Sequence, residues 1–506
     1  MSRSGRNSTI EHSMRLFTNA RFCSMEAPDD HYAALLEKDG TILRLYRRAG
    51  EIPADLHAER IDLDGAWVYP GFTDTHTHSF DGGLYSLCLD LGGCSSLRQV
   101  LEALAGVRPL GGLAFAWNLD VHRIREGRFP NLTELDRAVP DIPLIVKRVD
   151  GHSCMVNSAA LRAVPWKSGS APQVLPLTRE LSREASAWFQ SMVDEEGILS
   201  AYDAASRIAL KAGLTRVHTM VGDGESDPRH FVLLRDNLER FDVDFVPYPQ
   251  ISNVNRALEL GSPRVGGCLL SDGSIGSHTA ALNAPYADQP ESRGTLYRDQ
   301  DFWYRFVREA HREGLQACVH AIGEAAVEQI AGVLRRVYDE DPKALHHQII
   351  HCEMVSDRSL ELLEGLPAAA PVQPAFDALW GGEGGLYEKH LGKEGRARCN
   401  RYASLARAGV LLTGGSDWYI TPLDPLGGIR AATRLSNPAE RLSPFEAIRL
   451  YTVNAAKLTA SDDRQGYLRE GYECDLSIVS GPGEGEKSAV KGVVKEGKLL
   501  FLRGRT

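Results

Sequence analysis

Over its 506 residues the chain has no apolar stretch long enough to span a bilayer, no Cys-x-x-Cys pair and no excess of positive charge. Each absence removes a class of function. The polar start Met1-Ser2-Arg3-Ser4-Gly5-Arg6-Asn7 has no apolar segment behind it, so neither a secreted nor a membrane protein is expected, and the expected location is the cytoplasm. The 9 cysteines are odd in number and scattered. They suit neither a disulfide framework nor a zinc knuckle, and most should be reduced and buried. Lys and Arg number 57 against 67 Asp and Glu, a net charge of −10, which leaves no basic field to hold nucleic acid or anionic lipid. What is present is 43% hydrophobic residues. That is ample for one large enzyme domain with a smaller companion, working on a small molecule and self-associating, if at all, as a symmetric homodimer.

Short apolar runs alternate with stretches of helical periodicity, which predicts parallel strands joined by helices. Candidate strands cover 68–76, 214–221, 243–248, 266–272, 315–321, 348–354, 369–374 and 410–417. Between them lie helical segments such as 200–211, which stops at Gly213 as a C-cap requires. Eight such units predict a (β/α)8 barrel over 66–460. The first two candidate strands are separated by more sequence than a structureless loop allows. An inserted subdomain is therefore expected at about 81–190, covering the barrel mouth and carrying Trp117, Asn118, Arg148, Asp150 and His152 for substrate recognition. Short alternating strands at 14–65 and again at 465–506 predict one small β-sandwich built from both chain ends.

The stretch Phe72-Thr73-Asp74-Thr75-His76-Thr77-His78 carries the strongest chemical signal. A strand places alternate side chains on one face, so His76 and His78 aim at one point. The other reactive residues close apolar runs: His320 follows Gln316-Ala317-Cys318-Val319, His351 follows Gln348-Ile349-Ile350, and Asp417 follows Leu411-Leu412-Thr413-Gly414-Gly415-Ser416. Barrel enzymes collect their reactive groups at these carboxyl ends of strands. Four imidazoles and one carboxylate suit Zn²⁺ or a similar divalent ion, and an open coordination position lets such an ion lower the pKa of a bound water to about 7.

Pro70-Gly71-Phe72-Thr73-Asp74-Thr75-His76-Thr77-His78, Val319-His320-Ala321-Ile322-Gly323-Glu324, Ile350-His351-Cys352-Glu353 and Gly415-Ser416-Asp417 together resemble the amidohydrolase superfamily, more narrowly its YtcJ-like, amidohydrolase-3 branch. Supporting marks are Val149-Asp150-Gly151-His152 followed by Asn157-Ser158-Ala159-Ala160-Leu161, and Asp272-Gly273-Ser274-Ile275-Gly276-Ser277-His278-Thr279-Ala280-Ala281-Leu282 followed by Pro285-Tyr286. The resemblance implies a barrel with a companion β-sandwich, one or two metal ions, and activated water attacking a carbonyl-like or amidine-like carbon at a C–N bond. It also implies that Asp417 takes a proton from that water and delivers it to the leaving group. Expected substrates are N-acyl, N-formyl or cyclic amides. An aminohydrolase acting on an aromatic or amidine substrate uses much the same residues, and a barrel that binds ligand without turnover is the reading from another class.

One departure stands out. The branch resembles Lys-x-x-x-Asp-Gly-Ser at the fourth strand, where a carbamylated lysine can bridge two metals, whereas this chain has Cys268-Leu269-Leu270-Ser271-Asp272-Gly273-Ser274. Cys268 shares strand parity with Asp272, so it is either a thiolate ligand facing the barrel interior or a small buried filler, and a mononuclear site is the third reading. Asp74 either orients a ligand or serves the strand-start turn. Arg148, Asp150 and His152 form a substrate clamp or a solvated ion-pair cluster. Ser274 and His278 stand near the mouth or cap the next helix. Trp418, Trp380, Phe376 and Tyr286 wall an apolar pocket or belong to the core, Trp418 being the best placed. His218 is structural or contacts substrate. His122, His346, His347 and His390 read as surface or packing, and Cys318 and Cys352 as filler.

Overall fold

Pro70 and Gly71 separate two strands that serve different sheets. In the computed structural model, which describes residues 14–149, 153–222 and 228–503, the strand Glu59–Pro70 pairs in parallel with Arg15–Cys23 and antiparallel with Leu476–Val479. Phe72–Thr77 (β1) instead pairs in parallel with Leu214–Val221 (β2). At the changeover a Cβ on Gly71 would lie 2.1 Å from Thr215 Oγ1, so the crossing requires glycine. This corrects the expectation that residues 66–70 lead into the barrel. Ala66 and Val68 are buried in the core of the sheet made by the chain ends, and the boundary falls at Gly71.

The remaining parallel strands are Asp244–Pro249 (β3), Arg264–Leu270 (β4), Gln316–Ala321 (β5), Gln348–His351 (β6), Ala369–Val372 (β7) and Leu411–Gly414 (β8). β1 to β3 form one parallel sheet and β4 to β8 another. β3 lies beside β4. At the other seam Asp417 N–H donates to His76 O at 2.9 Å and His78 N–H to Trp418 O at 2.5 Å. The eight strands thus follow one another in chain order, and the segment after the eighth returns to the first. Amphipathic helices alternate with them, among them Gln300–Arg312 and Glu324–Glu340. The helix expected over 200–211 is the latter part of Glu195–Lys211, ended by Gly213 at φ 89°. The fold is mixed α/β. No helix of the described residues is long and apolar enough to cross a membrane.

Strands from both chain ends form a single eight-stranded sheet, hydrogen-bonded throughout, rather than two separately bonded ones. Its edge strand Thr41–Tyr46 turns back toward the C-terminal segment: Ile42 N–H donates to Tyr472 O and Gly471 N–H to Ile42 O. The sheet so curled encloses Phe17, Phe22, Leu35, Ile61, Leu476 and Val494.

By Cα packing the chain divides into two units, residues 79–206 forming the second. Taken by itself, this unit has a five-stranded sheet in the order Leu177–Thr178, Ser153–Val156, Leu144–Arg148, Ala114–Leu119, Leu89–Asp90. Leu97, Val100 and Leu104 of the helix Leu97–Ala105 pack on it at helical spacing. The helix Ser79–Leu87 opens this unit.

Candidate metal centre

β1 is buried along its whole length, so its polar residues are there because something inside uses them. Asp74 Oδ1 accepts the backbone N–H of His76 and of Ser416, each at 3.1 Å. It therefore ties the segment after β8 to β1 and orients no imidazole. Gly415 permits the approach, since a Cβ there would sit 2.9 Å from both His76 N and Cβ. The contact delivers Asp417, at φ 54°, beside the two histidines: its Oδ1 lies 3.3 Å from His76 Nε2 and 3.2 Å from His78 Nε2.

Two further imidazoles converge on the thiol of Cys268. His320 Nδ1 is 3.8 Å and His351 Nε2 4.0 Å from its Sγ. The far nitrogen of each ring is occupied. His320 Nε2 donates to Gly273 O at 3.1 Å, and His351 Nδ1 donates to Gln373 Oε1 at 2.6 Å. Gln373 is itself oriented by its Nε2 donating to Pro371 O. These bonds place the proton on the far nitrogen and aim the other inward, as metal-binding histidines are held. His351, like Asp417, has a positive φ, at 67°, a conformation that a non-glycine residue keeps only where its surroundings enforce it.

The donor set fits a divalent cation. Ligand atoms of His76, Cys268 and His351 all lie within 4.8 Å of one another, as do those of His76, His78 and Asp417. Around a tetrahedral zinc-type ion, N and O ligands stand about 3.3 Å apart and N and S ligands about 3.6 Å apart. The separations found, 3.2 and 3.3 Å for the carboxylate and 3.8 and 4.0 Å for the thiol, are close to both. Both ring nitrogens of His76 and Asp417 Oδ1 are buried with no hydrogen-bond partner, which a protein tolerates where an ion completes the set.

Charge points the same way. Burial pushes the Cys268 thiol up, yet His76, with hydrogen bonds from His320 and His351, holds it well below its usual range. Burial likewise opposes ionisation of Asp417, but His76 and His78 keep its carboxyl far below normal. Burial disfavours charge on the rings, but Cys268 and Asp417 raise His76 to about 9 and lift His78 well above its normal value. His351 goes down, through burial and the neighbouring His320.

The other expected residues are scattered. Trp418 is buried beside Asp417. Phe376 lies parallel to the His351 ring, with centroids 6.1 Å apart, and shares an apolar cluster with Tyr286 and Trp380. Ser274 and His278 cap no helix: Ser274 hydrogen-bonds Ser277 within the loop after β4, and His278 pairs with Asp288. The next helix is capped by Asp299. His218 is buried at β2, its Nδ1 bonded to Tyr248 OH at 2.9 Å. Cys318 and Cys352 are buried, their thiols pushed up to about 12 by burial alone or chiefly so. Trp117, stacked on Tyr85, and Arg148, bonded to His122 at 3.1 Å, belong to the 79–206 unit. Asp150 and His152 lie outside the described residues.

Two residues escaped sequence reasoning. Asp272 accepts backbone N–H groups from Ala281, Ile322 and Gly323, knitting the loops after β4 and β5 together beside His320. Gln373 was detectable as a lone amide closing the apolar run Ala369-Ala370-Pro371-Val372. Gln373→Leu should leave the fold intact and lower metal affinity about 10–100-fold by freeing the His351 tautomer. Competition against a chromogenic chelator measures this, and wild-type affinity would make the amide dispensable.

The described geometry has relatives. A model of the amidohydrolase family matches residues 59–501. A Bacillus subtilis (strain 168) protein named as the amidohydrolase YtcJ is 27% identical over 93% of this chain and 96% of its own length. An N-substituted formamide deformylase from Arthrobacter pascens is 22% identical over 83% of this chain and 85% of its own. Among solved structures, an uncharacterized metal-dependent hydrolase from Pyrococcus furiosus superposes with a TM-score of 0.78 at 24% identity, covering 93% of this chain and all of that one.

Proposed function

The chain belongs to the amidohydrolase family, in its YtcJ-like branch, and from that premise we propose a zinc-dependent hydrolase on a (β/α)8 barrel that cleaves a non-peptide C–N bond. The observation that carries this reading is the contact of Asp417 Oδ1 with both His76 and His78. It sets a carboxylate at the same point as the donors for a cation. His76, His78 and Asp417 would hold a divalent ion, with His320, His351 and the Cys268 thiolate, which stands where the branch usually has lysine, as further donors. A divalent ion bound there supplies Lewis acidity to the scissile carbonyl and acidifies the attacking water.

The chain's own residues do the rest. Asp417 receives the proton that the water loses on attack, then delivers it to the departing nitrogen, which cannot leave as an anion. Gly273 O and Gln373 keep His320 and His351 from turning. Phe376, against the His351 ring, gives an apolar wall that favours a substrate with a hydrocarbon portion and keeps bulk water off the donors. The formamide deformylase among the relatives acts on N-substituted formamides by its name, and N-formyl and N-acyl amines, with cyclic amides, are the substrate class proposed here.

A panel of N-formyl and N-acyl amines, cyclic amides, Xaa-Pro dipeptides and amidines, assayed with the zinc-loaded protein, tests this. Free amine with carboxylate from the first groups is expected. Ammonia from the amidines alone would make the chain an aminohydrolase, dipeptide cleavage alone would move it to peptide bonds, and silence across the panel would leave a binding protein.

A further inference from the structure

A second group of metal-type donors lies apart from this site. His278 Nε2 stands 3.1 Å from both carboxylate oxygens of Asp288, and His390 Nδ1 stands 2.6 Å from Asp288 Oδ2. The two imidazoles meet edge to face with centroids 4.2 Å apart, and the three ligand atoms lie within 4.8 Å of one another. We propose that His278, Asp288 and His390 form a second divalent-metal site, of zinc type, that clips the loop after β4 to the helix Leu386–Ala397.

The donor set selects the metal class. Two imidazoles and one carboxylate suit Zn²⁺, Co²⁺, Ni²⁺ or Cu²⁺, whereas Ca²⁺ and Mg²⁺ prefer oxygen throughout. The 3.1 Å separation of His278 Nε2 from the carboxylate is already close to the roughly 3.3 Å of a tetrahedral edge. An ion can therefore replace the imidazole–carboxylate hydrogen bonds with small adjustments of three side chains. Asp288 is 38% exposed at its side chain, so the remaining coordination position opens to water.

The place in the fold gives the clip something to do. No helix or strand is formed between β4, ending at Leu270, and the helix Gln300–Arg312. A connection that long needs cross-links to hold one shape. The backbone already converges here, since Ala287 N–H donates to His390 O at 2.7 Å, and His278 is held at φ 56° with its ring 4.8 Å from that of Tyr286. Tyr286 belongs to the apolar cluster that also contains Phe376, the residue lying against His351. An ion at His278, Asp288 and His390 would thus brace one wall of the catalytic centre from outside.

Chelator-stripped protein reloaded with Zn²⁺, desalted and analysed for zinc per chain tests this. Wild type should carry one equivalent more than either His390→Gln or Asp288→Asn. The reading is a difference between variants, so it does not depend on how many ions the Asp417 centre takes. His390→Cys, which restores a ligand, should regain the equivalent and, loaded with Co²⁺, add thiolate-to-cobalt absorption over that of His390→Gln. Equal zinc in wild type, His390→Gln and Asp288→Asn overturns the proposal. So does a deficit in His390→Gln that His390→Cys fails to reverse.

Discussion

Asp417→Asn is expected to lower turnover by about 10²–10⁴-fold, the usual worth of a positioned general base, while the protein stays folded. The amide has the shape of the carboxylate, and the backbone bond from Asp417 N–H to His76 O is untouched by the change, so the side chain should still reach the space beside His76 and His78. What it loses is basicity. An amide oxygen can approach a cation but cannot hold the proton shed by water. It also removes one of the two anions around which the imidazoles are arranged. A loss mainly in kcat, with KM changing little, would identify the proton transfer. Stopped turnover together with depleted metal would mean that coordination is the larger share. Both quantities are read from the same samples, by steady-state kinetics on the best amide of the panel and by metal analysis. Turnover close to wild type would remove Asp417 from the chemistry and the proposed mechanism with it.

What could be read from the chain before folding, and what could not, follows from the range of the interactions involved. His320, His351 and Asp417 each end or follow an apolar run, where a buried strand exposes its chemistry, and His76 and His78 share strand parity. Local pattern sufficed there. The changeover at Pro70-Gly71 was not legible in the same way. Residues 66–70 and 72–77 read as one continuous strand, and their separation depends on pairing with Leu476–Val479, far along the chain. Gln373 stands out in the sequence only as a lone amide ending an apolar run, and its role is defined once His351 is set opposite it. The pairing of His278 with His390 is likewise invisible at the level of spacing, since one lies in a loop and the other on a helix. Asp74 shows the limit of strand parity: it has the periodicity of the two histidines, yet its oxygen is engaged by backbone N–H groups.

Removing the metal should abolish turnover, zinc should restore it, and Cys268→Ser should make that removal far easier, lowering metal affinity by at least about 100-fold. Replacing a partner that merely orients a ligand already costs 10–100-fold, and Cys268 stands closer to the centre than that. Its sulfur lies 3.8 Å from His320 Nδ1 and 4.0 Å from His351 Nε2. A serine hydroxyl in its place is shorter, harder and neutral, so two inward-facing nitrogens would share an ion without the anion that offsets its charge. The filler reading makes the opposite forecast, because a buried thiol that only occupies volume can become a hydroxyl without touching metal content. Alkylation separates the two in the native protein. The other eight cysteines have thiols raised by burial, so a single modification should dominate the stripped protein, at Cys268. Zinc should suppress it by occupying the sulfur. If zinc leaves that modification rate unchanged while restoring activity, the ion binds through the histidines and Asp417 alone. The missing lysine then has no replacement in this chain.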